Sequence, residues 1–205
     1  MGGVVTADPG KRARGRPRTG VREAVIAGAQ EVLTRSGVAR LSTKEVAARA
    51  GVAESSIFYH FGDRMGLLQA VIRHHLQPLK DIVADSDRPG DPDLREDVRT
   101  LLEAFEEFFH AALPVIAAIG ADADLRAIYQ QRSQDLDLGP HRAIEVVIAR
   151  LSRHAPPDAD LRPFALLLVG AAHQRALQRQ LSPPSTRADL PSPAVLAATL
   201  LPAFP

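Results

Sequence analysis

Gly51 leaves the chain little room in which to turn. Before it, "LSTKEVAARA" (41–50) carries a capping-box pattern, Ser42 with Glu45 three residues on, and a short apolar face of Val46, Ala47 and Ala50. After it, a second helical pattern begins within three residues and covers only about 54–60. Two helices this short need a longer one to lie against, and the preceding stretch supplies it. Val21, Val25, Ile26, Ala29, Val32 and Leu33 recur at three- and four-residue steps, which places one apolar stripe on a helix of about four turns. Ser36-Gly37 then offers a stop, since glycine suits the left-handed position after a helix end. A support helix followed by two short helices across a tight glycine turn describes a helix-turn-helix.

The remainder is also patterned for helices. β-Branched and aromatic residues are sparse, while Ala, Leu, Arg, Glu and Gln abound, so the fold class expected is all-α. A fourth helix is expected over about 63–75, with Met65, Leu67, Leu68, Val71 and Ile72 apolar. "DSDRPGDPD" (85–93) then reads as a loop between units. Beyond it a long amphipathic helix is marked by Leu94, Val98, Leu101, Leu102, Phe105, Phe108, Phe109 and Ala112, and Pro114 is expected to kink or end it. Further helices are expected at about 123–135, 140–153, 161–181 and 192–201.

The two last of these are unusually apolar. Residues 164–169 cover every side of their helix, so its first half is expected to be buried all round, and Gly170-Ala171-Ala172 permits close helix approach. The last helix opens on a Ser192 cap with Pro193 at its first position. Such surfaces in a chain of 205 residues are expected to meet a second copy, giving a homodimer through 161–181 and 192–201; intramolecular core is the alternative.

Charge is divided along the chain. Residues 1–76 hold 12 Lys/Arg against 6 Asp/Glu, whereas 77–205 hold 13 against 18, so a net charge of +1 hides a basic first part. The basic arm 1–19, "MGGVVTADPGKRARGRPRT", has no apolar periodicity and is expected to be disordered. Within it "RGRPR" resembles the core of an AT-hook, in which arginines lie in a narrow minor groove, here Arg14, Arg16 and Arg18.

Three of the nine aromatic residues, Phe58, Tyr59 and Phe61, crowd beside His60 on the second short helix. If that helix reads DNA, its first residues Glu54, Ser55 and Ser56 can approach base edges, while Ile57 and Phe61 point to the core. Phe58, Tyr59 and His60 then lie where groove meets backbone. Arg64 opens the next helix, where its charge and unpaired backbone N–H groups could meet a phosphate.

"LSTKEVAARAGVAESSIFYHFGDRMGLLQAV" (41–71) resembles the helix-turn-helix of TetR-family transcriptional regulators, with Ala47, Ala50, Gly51, Val52, His60, Phe61, Leu67 and Leu68 in register. The resemblance implies phosphate contacts from Ser42, Thr43 and Lys44, base reading by Glu54, Ser55 and Ser56, and Arg64 in place of the usual lysine. Phe58 departs from the pattern, standing where the family usually carries a tyrosine whose hydroxyl meets a phosphate. Either Tyr59 takes that contact, or it is lost while the Phe58 ring packs on a sugar or a thymine methyl; one neutral hydrogen bond is worth only about 0.5–1.5 kcal/mol.

The resemblance further implies three parts: the arm 1–19, a DNA-binding domain over 20–76, and a helical ligand-binding and dimerisation domain over 77–205. By position, Phe105, Phe108, Phe109 and Tyr129 would wall a ligand pocket with His110 and Arg126 as polar anchors. A repressor is expected, binding a palindromic operator on double-stranded DNA as a homodimer and released by a small-molecule effector. The alternative is a non-specific architectural DNA binder that relies on the AT-hook-like arm.

Other classes find little support. No nucleophile motif, phosphate loop or dinucleotide fingerprint is present, and no enzyme is expected. The seven histidines lack metal spacing and there is no cysteine, so no cofactor or metal is expected. With no secretory signal and no uncharged apolar run of bilayer length, a soluble cytoplasmic protein without membrane contact is expected.

Overall fold

The computed structural model describes residues 20–36, 42–76, 93–136 and 139–205, and every regular element among them is helical. α1 (Val21–Ser36) buries Val25, Ile26, Ala29, Val32 and Leu33, the stripe that periodicity marks out. At the start of α2 (Thr43–Ala50) the Ser42 hydroxyl accepts the Glu45 amide at 3.1 Å. At its end Gly51 adopts φ 66°, which lets the Gly51 and Val52 amides fold back onto the Ala48 and Ala47 carbonyls. The turn therefore closes in three residues, and α3 (Glu54–Phe61) starts at Glu54 with Ile57 wholly buried beneath it.

α4 (Arg64–His75) follows so closely that its third residue has to be glycine. A Cβ on Gly66 would run into the Phe61 carbonyl oxygen, so the last turn of α3 and the first of α4 occupy space that any side chain would fill. Met65, Leu67, Leu68, Ala70 and Val71 complete a first core with α1, α2 and Ile57.

α5 (Leu94–Ala121) continues past Pro114, where the sequence leads one to expect a kink or an end; the helix does not end there. A proline in a helix interior costs about 3 kcal/mol. Continuation is favoured because it brings Val115 and Ile119 into the first core, where both are buried. The same helix gives Val98, Leu101, Leu102 and Phe105 to a second core, so one rod joins both. By length and composition alone it could cross a membrane; here it packs as a core helix along α4, α8 (Arg162–Leu181) and α10 (Pro193–Leu200).

Between these lie α6 (Ala123–Leu136), α7 (His141–Leu151) with a 3-10 turn Ser152–His154, and α9 (Pro184–Arg187). The single turn of α9 falls between the helices expected at about 161–181 and 192–201, where Pro183 and Pro184 preset its entry. Leu201–Ala203 closes the chain as another 3-10 turn.

Two buried acids tie the second core together. Asp97 accepts Arg150 through Nε at 3.0 Å and Nη2 at 2.8 Å, and meets Arg153 and, at 2.8 Å, His154 Nε2. Burial pushes its carboxyl up, but the bonds from His154, Arg153 and Arg150 outweigh this and hold it below the usual carboxylate value. Glu106 accepts Arg175 at 2.6 Å and Arg179 at 3.0 Å, joining α5 to α8.

One expectation about α8 needs correction. Its first half is not buried all round within the chain: Phe164, Ala165 and Leu168 face the core, but Leu166 is 65% and Leu167 53% exposed. α5, α7 and α10 pack against the helix, and among the described residues nothing covers the side that carries Leu166 and Leu167. The Gly37 stop, the greater part of the 85–93 loop and the arm lie outside the described residues.

Candidate nucleic-acid interface

The first core presents the outer face of α3 and the start of α2 on one side of the molecule. Ile57 is fully buried and Phe61 partly so, the latter beneath the guanidinium of Arg22, whose Cζ lies 5.6 Å from the ring centroid. Those anchors leave Glu54, Ser55, Phe58, Tyr59 and His60 exposed, with Ser56 half-buried. Tyr59 is 75% and Phe58 50% exposed, unusual for aromatic side chains. The Tyr59 and His60 rings meet edge to face at 5.0 Å, which steadies both without covering them.

Each predicted contact residue of α2 has its own setting. Lys44 is exposed, while Ser42 caps the helix. Thr43 donates its hydroxyl hydrogen to the Glu54 carboxylate, so the proton expected to reach a phosphate points at the first residue of α3 instead. Arg64 stands half-buried at the head of α4. One amide of that first turn is already taken, because Asp63 Oδ1 accepts Gly66 N–H at 2.8 Å. The arm residues Arg14, Arg16 and Arg18 lie outside the described residues.

Asp63 also carries a contact that sequence reasoning missed. Arg132 of α6 reaches it with both terminal nitrogens, at 3.1 Å through Nη1 and closer through Nη2. This hydrogen-bonded guanidinium is the main reason the Asp63 carboxyl titrates below the usual carboxylate value. A fork of this kind ties the α3–α4 turn directly to a helix of the second half. The partners are 69 residues apart and share no motif, so only the fold joins them.

Of the predicted ligand residues, the three phenylalanines cluster in the second core, and the six do not line one described cavity together. Phe105 is fully buried in the second core, 6.2 Å from Phe109, which also meets Phe108 at 5.2 Å and His173 at 4.9 Å. His110 Nδ1 is buried and finds no partner among the described residues. Arg126 is exposed and donates to the Gly120 carbonyl at 2.7 Å, while Tyr129 packs against the first core. Of the six, only Tyr129 lines a described cavity. That cleft of about 470 Å³ is walled by Tyr129, Gln130, Ser133, Gln134 and His141. A smaller one of about 190 Å³, with Gln30, Val71, His75 and Pro114 in its walls, lies where α1, α4 and α5 meet. There His75 Nε2 and Gln30 Nε2 are 2.7 Å apart, and burial, with the charge of His74 second, lowers the His75 titration below the usual histidine value.

Comparison with known proteins places these features in context. Residues 25–71 match the family model described as bacterial regulatory proteins, tetR family, and this stretch spans the first core from Val25 to Val71. The chain is 30% identical over 88 residues to the HTH-type transcriptional repressor BepR of Brucella suis biovar 1, covering 41% of this chain and 42% of that protein. It is 27% identical over 149 residues to the HTH-type transcriptional activator FasR of Mycolicibacterium smegmatis, covering 64% and 68%. The match thus spans under half the length of BepR and about two thirds of FasR. The solved SmeT–triclosan complex superposes with a TM-score of 0.63 at 20% identity, covering 91% of this chain and 92% of that one, and shows the fold to be shared throughout.

Proposed function

The chain belongs to the TetR family of bacterial DNA-binding transcriptional regulators, and from that membership we propose that it acts as a homodimeric repressor. Two copies meet through the exposed flank of α8 and α10, where Leu166, Leu167 and Val195 lie open. The two α3 helices then enter successive major grooves of a palindromic operator, and a small-molecule effector releases them. The observation that carries the reading is the outer face of α3: polar residues at its start, the three exposed rings of Phe58, Tyr59 and His60 towards its end, and Ile57 fixing the whole to the core.

Effector control needs only a ligand that binds one arrangement of the two halves better than the other. The fork between Asp63 and Arg132 supports a route for it, since Arg132 belongs to the helix that also supplies Tyr129, Gln130 and Ser133 to the larger cleft. SmeT has been solved with triclosan, which favours a small apolar ligand for this chain as well. The arm adds minor-groove contacts through Arg14, Arg16 and Arg18, and removing residues 1–18 lowers the salt dependence of binding.

Gel shifts with palindromic duplexes drawn from the DNA flanking its own gene test the reading. The full-length protein should retain one palindrome over scrambled DNA, and Ser55→Ala with Tyr59→Ala should abolish that preference. Equal weak retention of all duplexes by both proteins would overturn it and favour the architectural alternative.

A further inference from the structure

We propose that Glu54 selects a cytosine in each operator half-site and that Thr43 is the positioning residue that holds it there. The inference rests on α3 entering the major groove. It starts from the hydrogen bond in which the Thr43 hydroxyl, at the head of α2, donates to Glu54 Oε1, at the head of α3. Both residues begin their helices, and the glycine turn between them brings the two helix ends together.

A carboxylate on a surface that meets DNA is repelled by every phosphate, so the one partner the DNA can offer it directly is a hydrogen-bond donor on a base edge. The major groove shows two such donors, the amino groups of cytosine N4 and adenine N6. Adenine places its N7 lone pair beside N6, where it repels the carboxylate, whereas cytosine has only a C–H beside N4. Guanine and thymine present acceptors and a methyl group and offer the carboxylate nothing. Cytosine is therefore the base that Glu54 accepts.

A free glutamate has many rotamers and reads poorly. With Oε1 taken by Thr43, the side chain is confined and Oε2 remains for the base. Glu54 also stands in the first turn of α3, where the positive end of the helix attracts a negative charge. A purely structural pair would share that last feature, so the test has to read sequence preference and not affinity alone.

Selection from a random duplex library, followed by competition at single positions, should be run with the full-length chain and with Glu54→Gln, Glu54→Ala, Thr43→Val and Thr43→Ser. The wild-type chain should enrich one C·G pair per half-site by about tenfold over other bases, the scale of one good base contact. Glu54→Ala should erase the preference at that position alone. Glu54→Gln should move it to adenine, whose N6 and N7 match a carboxamide. Thr43→Val should blur it and Thr43→Ser restore it. A uniform loss of affinity with an unchanged profile would reduce the pair to a structural tie and overturn the assignment. If the wild-type chain enriches no sequence, groove reading itself fails, and the assignment with it.

Discussion

Gly66 shows how much one residue decides. It sits in the first turn of α4, where a side chain would collide with the Phe61 carbonyl, and it thereby sets the distance between the recognition helix and its neighbour. Gly66→Ala is expected to cost roughly 1–3 kcal/mol in urea denaturation, the range for forced overpacking. It should weaken operator binding more than that, because the strain is relieved by moving α3. An unchanged unfolding midpoint would mean the turn has slack the geometry does not show. Asp97 makes the opposite case, a buried charge instead of a missing side chain. It is 1% exposed and neutralises Arg150, itself 6% exposed. Asp97→Asn removes the buried carboxylate charge that Arg150, Arg153 and His154 share and should cost about 3–5 kcal/mol, the penalty for breaking a buried pair from one side. A loss under about 1 kcal/mol, the worth of an exposed pair, would contradict its burial.

At the scale of elements, the link from α6 to the α3–α4 turn can be measured at Asp63. Its carboxyl is held below the usual value while Arg132 is present, so the stability it contributes is present above the unfolded value near 3.8 and is lost as pH falls through the lower folded value. Arg132→Gln should raise the Asp63 titration, followed by its carboxyl NMR signal, towards that ordinary value. The Gly66 amide bond should persist, so α4 stays capped. An unmoved titration would remove the fork as a contact in solution. The helices themselves were readable from the chain because apolar spacing, the Ser42 and Ser192 caps and Gly51 all act locally. Contacts between helices were not, since Asp63 and Arg132 lie 69 residues apart. The acids on α5 left a trace: Asp97 stands on the apolar stripe between Leu94 and Leu101, and Glu106 between Leu102 and Phe109, where a solvated charge has no place. Periodicity left the aromatic stripe open, because Phe105 filling a core and Phe105 lining a pocket have the same spacing; in the structure Phe105 is buried in the second core. That the helix continues past Pro114 was not legible, because the proline's cost is local while the burial of Val115 and Ile119 that offsets it is tertiary.

For the whole molecule, the exposed leucines of α8 and the exposed face of α3 belong to one proposal. Leu166 and Leu167 are too open to serve the chain's own core, and a second copy would bury them. Leu166→Glu with Leu167→Glu should leave the helical content intact and convert a dimer into a monomer in sedimentation equilibrium. A dimer that survives both changes would place the interface elsewhere. On that proposal each α3 alone would offer only a few base contacts, so specificity would depend on two of them being held at a fixed separation. The most direct measurement is a titration of the full-length chain against its selected palindrome and against one isolated half-site, reading stoichiometry and affinity together. The account predicts two chains per palindrome and binding to the half-site weaker by about a hundredfold or more, the gain expected from linking two sites. One chain per duplex, or equal affinity for both, would contradict it.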